Sequence, residues 1–238
     1  MRQSSVMQRV RRLVPLALVV VLGIAGLTGC RSNPAVAAYV GGQRYTVQDL
    51  DGLLDDTIAL TPPEQRQGEI NLGSGRQEVL QVLVLDELAA KVAAARGLRV
   101  QEITPEITVQ MLGLEAGTER ADAAGRNDYL RALLRMRSTM ETLTQAVDPV
   151  TPTEADQREV FDSLVDQGQL AGRKFEQIQV SLTAELLGRH LGLRNVLIDA
   201  VERYHVVVNP RYAPLSLPVE IQLGSQMSAY VMISLVKR

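Results

Sequence analysis

The sequence contains few of the residues that commonly build metal sites, disulfides and aromatic binding platforms. Among its 238 residues are one cysteine, two histidines, two phenylalanines and no tryptophan. A single cysteine has no partner for an intramolecular disulfide, so burial of apolar side chains must hold the fold. His190 and His205 have neither a neighbouring cysteine nor the spacing of a histidine ligand pair. We therefore predict no metal site and no cofactor.

The short signatures of common catalytic sites are also missing. The sequence has no G-x-S-x-G nucleophile motif, no P-loop and no dinucleotide-binding fingerprint. Asp51, Asp55 and Asp56 are close in sequence, and paired carboxylates can carry out acid–base chemistry. Their place on a short predicted helix favours a solvated helix face instead. We predict that the protein is not an enzyme.

The segment before the single cysteine has the plan of a secretory signal peptide. Residues 1–12 carry four arginines and no acid, and residues 13–29 form an apolar run that ends in small residues. A basic start, an apolar middle and small residues before a cleavage point are typical of export signals. The run is too short and too rich in glycine for a comfortable membrane span, which needs ~20 apolar residues.

The word LTGC at residues 27–30 resembles the lipobox of bacterial lipoproteins. In that family a diacylglyceryl group is attached to the cysteine sulfur, and a peptidase cuts just before the cysteine. The resemblance implies that residues 1–29 are a cleaved lipoprotein signal peptide and that Cys30 is lipidated. Residues 30–35 would then be a polar tether. The alternatives are an ordinary signal peptide with an incidental cysteine, or an uncleaved helix.

Lipidation of Cys30 would decide where the protein works. One acyl chain binds a membrane only marginally, whereas two chains of the palmitate type give a stable anchor. The expected location is therefore the extracytoplasmic face of the cell membrane. Without residues 1–29 the chain keeps 21 basic residues against 27 acidic ones, a net charge of −6. That balance argues against nucleic acid as a partner, because nucleic-acid binding needs a basic surface.

The apolar pattern predicts a helical body between two β-rich ends. Extended residues on both sides of Gly41–Gly42 predict a β-hairpin over residues 36–46, and Thr46 with Asp49 predicts a helix N-terminus. Residues 61–76 and 113–127 are predicted loops. Helical spacing predicts helices near residues 47–58, 77–96, 104–112, 128–146, 153–165, 173–190 and 192–203, with a break near Gly192.

The last residues change from helical to β character. Residues 204–210 form a β-branched run, residues 211–226 are interrupted by prolines, and residues 228–238 alternate like a strand. Isolated hairpins need a third strand or a packed helix to be stable. We therefore predict a mainly α fold in one domain, residues 36–238. A small antiparallel sheet would unite the N-terminal hairpin with C-terminal strands in the β tail, residues 204–238.

The segment AVAAYVGGQRYTVQDLDGLL, residues 35–54, resembles the opening of SurA-type and PrsA-type extracytoplasmic foldases. The corresponding hairpin and helix positions are Val36, Tyr39, Val40, Gly42, Thr46, Leu50 and Leu53, while Gly41 departs from the usual Asn or Asp. The tail YHVVVNPRYAPLSLPV, residues 204–219, resembles the ending of SurA-like lipoproteins from high-GC bacteria. The resemblance implies a helical chaperone module. No room exists for a parvulin domain, so prolyl isomerase activity is not carried over.

Two functions follow as hypotheses. The first is chaperone-like binding of unfolded exported polypeptides, with Val82, Leu85, Leu133, Met136 and Met140 as possible contacts, because methionine adapts to irregular apolar partners. Ordinary core filling is the alternative role for these residues, for the whole Val82–Leu85 run and for Met111. The second function is that of a structural or accessory lipoprotein with one dedicated cell-envelope partner.

Overall fold

The computed structural model describes residues 33–61, 72–170, 172–223 and 227–236. The predicted signal peptide, Cys30 and the first part of the tether lie outside the described residues, and so does most of the predicted loop after the first helix. The chain from Ala35 onward is a single compact unit.

The N-terminal hairpin joins the chain that follows the last helix, as predicted. Strand β1 (Val36–Val40) pairs antiparallel with β2 (Gln43–Thr46). Gly41 in the turn adopts φ +60°, a conformation that glycine accepts without strain. The other edge of β1 pairs antiparallel with β3 (Val207–Val208). The mainly α fold with a small antiparallel sheet between its ends is thereby confirmed, although β3 is shorter than the predicted run over residues 204–210.

Eight α-helices form the body of the described chain. They are α1 (Val47–Leu60), α2 (Leu72–Ala95), α3 (Pro105–Met111), α4 (Glu119–Arg126), α5 (Asp128–Ala146), α6 (Glu154–Asp166), α7 (Phe175–Gln179) and α8 (Ala184–Arg203). Helix α2 is central, since it packs against α1, α5, α8 and β1. Its middle residues carry much of the core, and Val84, Leu85 and Leu88 are completely buried.

Polar residues begin α1, α3 and α6 where the sequence predicts. Thr46 and Asp49 form a capping box at α1, and Thr153 forms another with Asp156 at α6. In each, the threonine hydroxyl accepts from the backbone N–H three residues on, and the aspartate accepts from the threonine N–H. Thr104 caps α3 with Pro105 in its first turn. Such caps satisfy N–H groups that the helix leaves without acceptors.

Two predicted loops are partly helical. The stretch 113–127 contains α4, which Thr118 caps with its hydroxyl. Its apolar side is made of the small residues Ala121, Ala124 and Gly125, so the helix shows no periodicity of large apolar residues. Helix α2 begins at Leu72, five residues before the predicted start.

The predicted break near Gly192 is wrong, because α8 continues through Gly188 and Gly192. Both glycines face the chain between α5 and α6. A Cβ on Gly192 would stand 2.3 Å from the Asp148 carbonyl oxygen, and one on Gly188 would stand 3.0 Å from the Val150 oxygen. The Val150 N–H also donates to the Gly188 oxygen over 2.9 Å. The glycines therefore permit close packing on the helix and do not end it.

A second antiparallel sheet closes the fold. Strand β4 (Ser216–Leu223) pairs with β5 (Met227–Ser234) along its whole length. The sequence predicted only the second of these strands. Odd-numbered side chains of the hairpin face the core, and those buried are Leu217, Val219, Ile221, Ala229, Val231 and Ile233. The even-numbered side chains of Glu220, Tyr230 and Met232 are exposed.

Candidate functional site

A groove of about 800 Å³ lies between helices α2, α5 and α8 and the β4–β5 hairpin. Helix α5 contributes one long wall, and α2 contributes the neighbouring side. The hairpin faces these helices from the opposite side. Cavities of roughly 300–1,000 Å³ are the usual size for ligand sites, so the groove is large enough to hold several side chains of a partner.

Flexible apolar side chains line the bottom of the groove. Val82 and Met136 reach it from α2 and α5 and are otherwise buried. Leu133 and Met140, also on α5, are half-buried. Met232 of the hairpin is 38 % exposed on the other side. Three of the seven methionines in the sequence thus line this one groove, which gives it an adaptable apolar surface.

Acidic side chains predominate on the rim. Glu78 of α2, Glu141 of α5 and Glu220 of β4 line the groove, against one guanidinium, that of Arg137. Burial lowers the pKa of His190, which also lines the groove, and so favours the uncharged form of this histidine. The rim therefore carries an excess of negative charge.

Hydrogen bonds hold two of these carboxylates in place. The Tyr129 hydroxyl donates to Glu78 Oε1 over 3.3 Å. Glu220 accepts from the Ser228 hydroxyl over 3.2 Å and from the Tyr230 hydroxyl over 3.3 Å, both on the neighbouring strand. Glu220 is consequently fixed on the exposed face of the hairpin.

The two long edges of the hairpin have different surroundings. On β5 the Met232 N–H donates to Ser163 Oγ over 3.0 Å, and the Ser234 N–H donates to Glu159 Oε1 over 2.7 Å. Both acceptors belong to α6, so this helix covers the outer edge of β5 at Met232 and Ser234. On the other side Pro218 and Glu220 of β4 line the groove. The outer edge of β4 therefore borders the groove.

Four of the five residues predicted as binding contacts meet in this groove: Val82, Leu133, Met136 and Met140. Leu85 does not line it. Its side chain has no exposed surface and belongs to the core under α2. Met111 is 49 % exposed on α3 and is outside the groove.

The other polar candidates have structural or solvent-exposed positions. Asp51 pairs with Arg76, with 3.0 Å between Oδ2 and Nη2, and so links α1 to α2. Asp55 and Asp56 are exposed on α1. His205 adopts φ +50° just after α8. Within the described ranges, no group of three or more histidine, cysteine, aspartate or glutamate side chains is arranged to hold a metal ion.

The sequence interpretation missed the contribution of the hairpin to the groove. Pro218, Glu220, Tyr230 and Met232 line it, yet none was a candidate residue. Their signal is the placement of an apolar residue at every second position of SLPVEIQL and SAYVMIS, which predicts two strands with one buried face. The proline in the first segment hides that pattern.

No known protein-family model, no curated protein and no solved structure matches this chain. The resemblance of residues 35–54 to extracytoplasmic foldases therefore stays a prediction. Among the helices of the described residues, none combines the length and apolar character needed to cross a bilayer.

Proposed function

We propose that this protein is a lipid-anchored extracytoplasmic protein that binds unfolded or exported polypeptides without catalysis. The observation that carries the proposal is the methionine-lined groove beside the β4–β5 hairpin. The floor of the groove is part of the hydrophobic core, since Val82 and Met136 belong to it. Leu133 and Met140 pack against that core but are only partly buried, and this open apolar surface supports the proposal.

The groove suits weak binding of many different sequences. Methionine side chains are unbranched and can repack around different apolar partners. Half-buried Leu133 and Met140 offer apolar contact area, and the acidic rim keeps the surface hydrated. No nucleotide is implied, since release would follow from weak affinity.

An aggregation assay tests this binding. The protein lacking residues 1–29 would be added, without ATP, to a reduced client that aggregates, and light scattering would be followed. We expect suppression at stoichiometric amounts, and a clear loss of suppression in Met140→Gln. Met111→Gln is the matched control, because Met111 is an exposed methionine outside the groove. Absence of both suppression and peptide binding at high micromolar concentration would refute the proposal.

The anchor is tested separately. Cells that express the full chain would be fed labelled palmitate and fractionated. We expect label and membrane association in the wild type and loss of both in Cys30→Ser. A protein that keeps its initiator methionine and stays free of lipid would contradict the proposed location. Co-purification of one stoichiometric partner, with no capture of unfolded clients, would support the accessory-lipoprotein hypothesis instead.

A further inference from the structure

The outer edge of β4 has the hydrogen-bonding groups of an unpaired strand. In the β4–β5 register Pro218 faces Met232 and Ser216 faces Ser234. The N–H groups of Met232 and Ser234 point away from β4, toward α6. These are therefore non-hydrogen-bonded pairs, and the backbone groups of even-numbered β4 residues must point outward as well.

Three even-numbered residues define this edge. The N–H groups of Glu220 and Gln222 point outward, as do the carbonyls of Pro218 and Glu220. Within the described residues, no backbone acceptor outside the hairpin receives these two N–H groups. Pro218 fits the same geometry, because proline is tolerated in a strand where its missing N–H would face away from the partner strand.

The side chains around this edge indicate what could pair with it. A strand added beside β4 would continue the two faces of the hairpin, with alternate side chains on each. On one face its neighbours are Leu217 and Val219, which are apolar and line the groove. On the other face its neighbour is Glu220, in a groove whose rim carries three carboxylates against one guanidinium. Apolar residues fit the first face, and basic residues fit the second.

We propose that the groove binds an extended polypeptide segment, alternating in apolar and basic residues, which pairs as an added strand with the outer edge of β4. This inference rests on the proposed function and specifies the client and its mode of binding. Main-chain hydrogen bonds to residues 218–222 supply affinity that does not depend on sequence. Alternate side chains supply preference, as in other cases of strand addition. A basic residue gains a partner in Glu220.

A peptide series tests backbone pairing directly. The reference peptide has ten residues that alternate leucine and arginine, carries a fluorophore, and is titrated into the protein lacking residues 1–29. One derivative is N-methylated at two central leucine amides, and the other at two central arginine amides. In a strand these two sets of N–H groups point to opposite edges. We expect one derivative to bind at least about tenfold more weakly and the other to bind within about twofold of the reference.

A peptide bound as a helix or by side chains alone gives a different pattern. Both derivatives would then weaken together, or neither would, and either result would overturn the added-strand proposal. If suppression of client aggregation nevertheless persists, the proposed function stands without this mode of binding. If neither the reference peptide nor an unfolded client binds, the proposed function fails with it. An all-glutamate counterpart of the arginine peptide should bind at least about tenfold more weakly at low salt.

Variants of the edge provide an independent test. Glu220→Pro removes an outward N–H that takes no part in the hairpin, whereas Glu220→Gln keeps that N–H and removes only the charge. We expect Glu220→Pro to bind the peptide about fivefold or more below Glu220→Gln. Equal affinities in two folded variants would contradict pairing at Glu220. Circular dichroism melting shows whether each variant folds, and the N-methyl series decides the question if Glu220→Pro does not.

Discussion

The two edges of the β4–β5 hairpin differ in how their backbone is satisfied. Along β5, side chains of Ser163 and Glu159 on α6 accept two of the outward N–H groups, those of Met232 and Ser234. Along β4, the corresponding groups border the groove. Exposed strand edges promote unwanted pairing, and proteins normally cover or interrupt them. One edge of this hairpin is covered by a helix, whereas the other carries only Pro218 as an interruption.

The covered edge is tied to a buried charge network. Arg194 of α8 lies 2.6 Å from Asp156 Oδ1 and 3.7 Å from Glu159 Oε2, and the three side chains are 13 %, 8 % and 12 % exposed. Glu159 also accepts the Ser234 N–H. One cation therefore links α8, α6 and the edge of β5. The comparison of the two edges indicates that α6 is held in place as a cover for β5, while the β4 edge stays accessible from the groove.

The largest effect is expected when this network loses its cation. Arg194→Met leaves two carboxylates with little exposure and without their partner, which typically destabilises a protein by about 3–5 kcal/mol. We expect a loss of that size in the free energy of unfolding, measured by urea titration at pH 7. Arg137→Met, on the open groove rim, is the control and should change stability by less than about 0.5 kcal/mol. A near-neutral Arg194→Met would mean that the covered edge does not depend on the network.

The next largest effect on stability is expected when the Asp156 carboxylate loses its charge, either by substitution or at low pH. Burial alone would raise the pKa of Asp156, but hydrogen bonds from Thr153 and Arg194 outweigh it and hold that pKa below its usual value. A lowered carboxyl pKa contributes stability that is present above the unfolded-state pKa, about 3.9, and is lost as pH falls through the folded-state value. We expect Asp156→Asn to cost about 2 kcal/mol at pH 7, since hydrogen bonds to charged groups contribute about 1.5–3 kcal/mol.

The pH profile distinguishes loss of charge from simple loss of packing. The difference between wild type and Asp156→Asn in urea-unfolding free energy should shrink as pH falls below 4. A difference that stays constant from pH 7 to pH 3 would show that Asp156 acts only through shape and neutral hydrogen bonds. Glu220→Gln is the control on the open edge, and its stability should track the wild type throughout.

Local sequence signals predicted the starts of α1, α3, α5 and α6 and the N-terminal hairpin correctly. The capping boxes at Thr46 and Thr153 and the turn at Gly41 depend on residues that are adjacent in sequence, so a short window contains the whole interaction. Helix α5 has the predicted bounds because an asparagine cap and a clear apolar periodicity mark it. The union of the two ends also followed, because a lone hairpin needs a third strand.

Features set by long-range contacts were not predictable in the same way. Gly192 has the local signal of a helix break, yet it allows close contact with Asp148, 44 positions earlier. The hydrogen bonds that cover β5 join residues about 70 positions apart. The groove forms only where α2, α5, α8 and the β4–β5 hairpin meet. Helical periodicity indicated apolar candidate residues on α5. Nothing in the sequence distinguished Met136, which lines the groove, from Leu85, which lies in the core.

A smaller effect is expected for the hydroxyl that covers β5. Ser163→Ala removes the acceptor of the Met232 N–H and should lower the free energy of unfolding by about 1 kcal/mol. Hydrogen exchange at the Met232 amide should become faster. Ser228→Ala is the matched control, because Ser228 is exposed on the same hairpin and its hydroxyl donates to the Glu220 side chain. An unchanged Met232 exchange rate would show that another group protects this edge.

The smallest stability effect and the clearest local contrast are expected at the open edge. Glu220→Gln should change the free energy of unfolding by less than about 0.5 kcal/mol, because the side chain is exposed. In the unbound protein, the amides of Glu220 and Gln222 should exchange rapidly, while the Val219 and Ile221 amides, which point toward β5 in the hairpin register, should exchange slowly. When the leucine–arginine peptide is added, hydrogen exchange should become slower at the Glu220 and Gln222 amides. It should not change at the other two amides. Slow exchange there without peptide would mean that the β4 edge is already covered, and the contrast between the two edges would disappear.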